Sequence, residues 1–283
     1  MARTTSSMLP WVTIAAWMGC VATPAESIPA SSTSHEPGHE QLSLESKVLG
    51  ELRRVNIYLP PDYRRSTTSR YPILYMPDGG TQEDFPHLTE TVDAAIRRGD
   101  IRPIIVVGIE NTQRRRDLTG PTEVAADREI APVVGGSAAF RGFLREELLP
   151  SIEARLRGNG ERAIIGESLA GLFVVETLFV EPQLFDVYVA IDPSLWWNDG
   201  ELGKRAAERL GAGVGEGRTL YLTAAGKPGE SNLEAVEPLV DALEAHAPEH
   251  LRWTWAPLLD ESHATIYRAS KLAILKALFP SGA

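Results

Sequence analysis

The feature that most constrains this chain is a series of short, nearly continuous apolar runs, each closed by a turn and separated from the next by a longer helical stretch. Tyr71–Met76 (YPILYM) ends at Pro77-Asp78-Gly79-Gly80, and Ile101–Ile109 (IRPIIVVGI) is rich in β-branched residues. Arg162–Ile165, Val187–Ile191, Thr219–Thr223 and Leu251–Pro257 read as further strands, while Arg53–Leu59 alternates and stops at Pro60-Pro61, as a half-buried strand does. A continuous apolar run marks a strand covered on both faces, because a strand with one wet face alternates instead. Between and after these runs, residues 90–98, 138–157, 202–210, 233–245 and 266–278 predict helices, the second of them kinked or broken at Pro150. Strands alternating with helices give an α/β fold, a mainly parallel sheet with helices on both faces, and ligands bind beyond the carboxyl ends of its strands.

A chain of 283 residues can bury one large core, and residues 45–283 read as one catalytic domain. A net charge of −10 and a pI near 5.2 exclude a nucleic-acid-binding surface, since phosphate binding needs clustered cations and the one basic run is Arg114–Arg116. Residues 1–25 read as an export signal: Arg3 precedes the apolar stretch Leu9–Val21, and small residues follow at Ala22–Ala25. The stretch is too short for a membrane span, so the mature protein is expected in the periplasm or outside the cell. Cys20, the sole cysteine, offers the alternative of a lipid anchor, and its solitude excludes a disulfide. Residues 26–44, rich in Ser, Pro, Thr and His, read as a disordered linker.

The sharpest local signal is Gly166-Glu167-Ser168-Leu169-Ala170-Gly171, set between the strand AII and the apolar helix LFVVETLFV. Strand, sharp turn and helix are the setting of a nucleophile elbow, in which the residues two before and two after the serine must be small; Gly166 and Ala170 are. Ser168 is the candidate nucleophile, and the Leu169 amide, at a helix N-terminus, faces the same space. The competing reading is a plain helix cap with Ser168 as N-cap.

Of six histidines, only His263 follows the last predicted strand, in the loop LLDESHAT before the final helix. That is where the base belongs in the chain order serine, acid, histidine. The acid is expected after the preceding strand, where Glu230 is the first carboxylate; Glu234, Glu237, Asp260 and Glu261 remain alternatives.

With these residues in hand, the chain resembles the esterase D-like family of α/β-hydrolases, and within it the branch of periplasmic siderophore esterases. The blocks that carry the resemblance are YPILYMPDGG, IIVVGIENTQRRRDLTGP, FLREELLPSIEARL, AIIGESLAGLF, LFDVYVAIDPSLWW and ESHATIY, spread from Glu45 to the C-terminus. The resemblance implies the α/β-hydrolase fold, a Ser168 and His263 pair, and an oxyanion hole built from the Leu169 amide and an amide at Gly79 or Gly80. It also implies that Arg114 faces an anionic or catecholate-rich substrate, while Trp196 and Trp197 are candidates for an aromatic wall of the pocket. Core packing is the competing role for the tryptophans, and surface ion pairing with Asp117 or Glu110 for the arginines.

Three departures stand out. Ala170 replaces a commoner glycine; Asp192, in IDPSLWW, replaces a commoner serine and puts a carboxylate at a strand end with no role assigned; and no clear family acid follows the next strand, which leaves a Ser–His dyad open. The expected reaction is acyl transfer from a small-molecule ester to Ser168 and then to water, without metal or organic cofactor. Alternatives are an acyltransferase of the same fold and a non-catalytic exported binding protein. Nothing in the sequence fixes the oligomeric state.

Overall fold

The computed structural model describes residues 38–282 except 212, 213 and 215. The export signal, Cys20 and most of the linker lie outside the described residues. The linker's C-terminal end does not stay a linker: His39–Ser46 (HEQLSLES) is strand β1, paired antiparallel over its whole length with β2 (Glu51–Tyr58). Its low apolar content is what an edge strand shows, and Leu42 and Leu44 alone turn toward the core.

Six parallel strands continue the sheet: β3 (Tyr71–Met76), β4 (Ile105–Ile109), β5 (Gly158–Glu167), β6 (Val187–Ile191), β7 (Thr219–Thr223) and β8 (Arg252–Trp255). The order across the sheet is β1-β2-β4-β3-β5-β6-β7-β8, with β2 antiparallel to β4. This is the α/β-hydrolase fold. Along β3 the side chains alternate between two cores: Leu74 and Met76 pack with one cluster, Ile73 and Tyr75 with the other. The first is covered by α1 (Phe85–Arg98) and the C-terminal helix, the second by the long apolar helix after β5 and its neighbours.

Beyond α1 the helices are α2 (Arg114–Leu118), α3 (Ala125–Glu129), α4 (Ser137–Phe143), α5 (Leu149–Arg155), α6 (Leu169–Val180), α7 (Trp197–Lys204), α8 (Ala206–Leu210), α9 (Leu233–His246) and α10 (Ile266–Leu278). The break expected at Pro150 lies upstream of it, as a π-helical turn at Leu144–Leu148 joining α4 to α5. Proline has no N–H to give the carbonyl four residues back and its ring crowds that carbonyl, so the preceding turn widens.

The chain leaves β3 toward β4 and leaves β5 toward β6, in opposite directions along the sheet. The crevice for a ligand therefore lies above the ends of β3 and β5, between the turn at Asp78 and the turn at Ser168.

Candidate active site

Three neighbouring strand ends carry a non-glycine residue in the left-handed region: Asp78 (φ 57°) after β3, Ser168 (φ 58°) after β5 and Asp192 (φ 41°) after β6. Such backbone is costly for a residue with a Cβ, and it survives where the surroundings hold it. At the elbow they do. The Ser168 amide donates to Ile191 at 3.1 Å, and its carbonyl accepts from Leu172 and Ser194 at 2.9 and 3.0 Å. A Cβ on Gly166 would stand 2.5 Å from the Ala170 backbone, which explains the demand for small residues on both sides of the serine. Ser168 Oγ lies 3.2 Å from Ser194 Oγ.

The imidazole of His263 stands on Asp192. Its Nδ1 donates to Asp192 Oδ2 at 2.5 Å, an ionised carboxylate being able only to accept, and Nε2 has no hydrogen-bond partner among the described residues. Asp192 is fully buried. Its other oxygen accepts from the amides of Ala225 (3.1 Å) and Asn232 (3.3 Å), and its carbonyl accepts from Asn232 Nδ2 at 2.9 Å. The hydrogen bond to Asp192 raises the His263 pKa above the ordinary histidine value. Beside the nucleophile, burial pushes the Glu167 carboxyl up to about 7. Ser168 and Asp192 are adjacent at the sheet edge, since Glu167 and Ile191 pair across β5 and β6.

Glu230 does not reach the imidazole. Its carboxylate is half exposed and pairs with Lys227 at 3.1 Å, so the expectation that it orients His263 is corrected in favour of Asp192. The contact between this loop and the histidine is through the backbone, where the Glu230 carbonyl accepts from the His263 amide at 2.6 Å. Two amides expected in an oxyanion hole are already engaged: Gly79 donates to the Ile109 carbonyl at 3.0 Å, and Gly80 to the Glu83 carboxylate at 2.6 Å. The Leu169 amide, at the N-terminus of α6, has no partner among the described residues.

The three arginines diverge. Arg114 grips Asp78 with Nε and Nη2, at 2.6 and 2.8 Å, and leaves Nη1 without a partner among the described residues. Arg116 pairs with Asp117 and Glu51, and Arg115 donates to the Ile130 carbonyl. Trp196 is exposed, whereas Trp197 is buried and spends its indole N–H on the Gly120 carbonyl at 3.0 Å. Trp197 is thus packed and hydrogen-bonded in place, and its ring meets that of Trp196 at 6.2 Å between centroids.

The family described as "Putative esterase" matches residues 46–252. The chain belongs to that family. The matched region takes in Ser168 and Asp192 and ends before His263. Among curated relatives, the ferri-bacillibactin esterase BesA of Bacillus subtilis is 32% identical over 178 residues, 57% of this chain and 60% of that protein. The siderophore triacetylfusarinine C esterase of Aspergillus fumigatus is 34% identical over 182 residues, 57% of this chain and 58% of that protein. The chain thus spans about three fifths of the length of these relatives. A crystal structure of an IroE-like serine hydrolase from Shewanella oneidensis superimposes with a TM-score of 0.78 at 28% identity, covering 86% of this chain and 80% of that one.

For this family member, the residue that the sequence marked as a departure but left without a role is Asp192. Its signal was present: a carboxylate directly after five buried apolar residues must have partners, because an unpaired charge there is untenable. Asp78 was likewise read only as part of a turn, although it anchors Arg114.

Proposed function

We propose that this chain is a serine ester hydrolase, with Ser168 as nucleophile, His263 as general base and Asp192 as the acid that orients it. The observation that carries the reading is the buried Asp192 on Nδ1 of His263, one strand from the elbow serine. A carboxylate on Nδ1 keeps the proton there, leaves Nε2 as the lone-pair nitrogen and stabilises the imidazolium that forms when Nε2 accepts the serine proton. Ser168 Oγ attacks the ester carbonyl, His263 passes the proton to the departing alcohol, and water then repeats the sequence on the acyl-enzyme.

Negative charge develops on the carbonyl oxygen at each attack. The Leu169 amide is one donor for it. With the Gly79 and Gly80 amides engaged, we assign the second donor to the Arg114 guanidinium, whose Nη1 is open while Asp78 fixes the plane. Asp78 balances part of the charge and fixes the orientation of the remaining donor.

The substrate class we favour is a siderophore ester. A cleft of about 510 Å³ is lined by Arg114, Arg115, Pro132 and Val133, and Arg115 has no carboxylate partner among the described residues, so the lining is cationic and apolar together, which suits an anionic ligand with apolar arms. The activities for which the relatives are named support this choice. Turnover of a ferric trilactone siderophore and of a p-nitrophenyl ester, each by the wild-type chain and by Ser168→Ala, tests both levels. Loss of both activities in a folded Ser168→Ala protein is the expected result. Retained hydrolysis in that variant sinks the mechanism, and wild-type activity on the small ester alone sinks the substrate.

A further inference from the structure

Ser194 lies in the loop after β6, two residues beyond Asp192, and is 1% exposed. Its amide holds the carbonyl of Ser168, and its Oγ is 3.2 Å from Ser168 Oγ. Between two hydroxyls in contact, one donates. Ser194 Oγ has no other partner among the described residues, so the acceptor in reach of its hydrogen is the oxygen of Ser168. In this structure Nε2 of His263 has no partner among the described residues and makes no hydrogen bond to Ser168, so the direction of the hydroxyl pair is decided when the imidazole takes the Ser168 proton. From that point Ser168 Oγ has no hydrogen to give, and Ser194 is the donor of the pair.

We propose that Ser194 is a catalytic residue whose hydroxyl donates to the nucleophile's oxygen and thereby speeds hydrolysis of the acyl-enzyme. The proposal rests on Ser168 being the nucleophile. In the acyl-enzyme, Oγ is the ester oxygen, and a hydrogen bond to it draws its lone pair away from the acyl carbonyl, which leaves the carbon more open to attack. The water oxygen bonds to that carbon and gives its proton to His263 Nε2. The bond from carbon to Oγ then breaks, its electron pair goes to Ser168 Oγ, and His263 returns the proton there. The charge that builds on Oγ as it leaves is what the Ser194 hydroxyl meets. Acylation makes the opposite demand, since Oγ must then give its lone pair to the substrate carbonyl. The free-state separation is long for two oxygens, as expected of a contact that tightens when charge develops. Ser194 therefore divides the two half-reactions, favouring the second.

Stopped-flow hydrolysis of p-nitrophenyl acetate by the full chain separates them. Ser194→Ala is expected to slow deacylation about tenfold while acylation stays within about twofold. A burst of p-nitrophenolate then grows, and mass spectrometry of quenched enzyme finds acetyl on the Ser168 peptide. Ser194→Thr, which keeps a hydroxyl, restores deacylation. Unchanged deacylation in Ser194→Ala, or equal slowing of both steps, overturns the proposal. Should the alanine variant not fold, Ser194→Cys replaces it: a thiol is a weaker donor, and deacylation equal to wild type overturns the proposal as well. Ser168→Ala runs beside them, and a burst in that variant would remove the nucleophile assignment instead.

Discussion

Two histidines in this molecule rest on an aspartate, and they are not equivalent. His263 gives Nδ1 to Asp192 and keeps Nε2 open at the ends of the central strands. His87, in α1, is saturated: the Lys271 ammonium donates to Nδ1 at 2.9 Å, so the ring proton is on Nε2 and goes to Asp84 at 2.8 Å. Lys271 also donates to the His87 carbonyl at 2.8 Å, and the ring meets Tyr267 edge-on, which ties α1 to α10. Burial lowers the Lys271 pKa, and two of its N–H groups serve the cluster. A histidine with both nitrogens spent is a strut. One with a single nitrogen spent on a buried carboxylate keeps the other free to take a proton.

The widest gap should come from removing each ring. His263→Ala is expected to lower kcat by about four orders of magnitude, whereas His87→Ala should stay within about threefold and cost melting temperature instead. Steady-state kinetics and a thermal melt on both proteins decide it, and an inactive, folded His87→Ala would break the comparison.

The carboxylates come next. Asp192→Asn is expected to lower kcat about a thousandfold, because an amide can donate to Nδ1 and select the wrong tautomer. Glu230→Gln, which loses only a surface pair with Lys227, should remain within about twofold. A subtler effect is on pH. The base must be neutral to accept a proton, and Asp192 raises its pKa, so the acid limb of kcat/KM lies above 6.5 and activity rises with pH through it. In Asp192→Asn the limb should move to lower pH. Glu167 titrates near 7 in the same space, so the shift is best read in a Glu167→Gln background. A limb that stays in place would show that Asp192 does not set the base.

The elbow serine and the histidine proposed as its base were legible because each obeys a rule of position. The elbow demands small residues at Gly166 and Ala170, and chain order puts the histidine after the last strand. The acid was not, because β6 and β7 end at the same edge of the sheet and order alone does not say which one supplies it. The apolar runs marked every parallel strand, while β1 escaped notice because an edge strand with two inward leucines has the composition of a linker. Of the amides expected to hold the oxyanion, those of Gly79 and Gly80 are engaged by the Ile109 carbonyl and the Glu83 side chain, and no local pattern in the sequence records that.

The backbone of Ser168, at φ 58° and ψ −121°, also bears on heat tolerance. Glycine occupies that region without penalty, whereas a residue with a Cβ gives up about 1–3 kcal/mol there. Ser168→Gly relieves that strain and loses a part of it again to the freer unfolded chain, which leaves a net gain of about 1 kcal/mol. Calorimetry should find it melting about 2–4 °C above wild type. A lower melting point would mean that the elbow is not strained in solution. Durability and turnover thus pull against each other at a single residue, and the longest-lived form of this protein under heating is expected to be one that cannot open an ester.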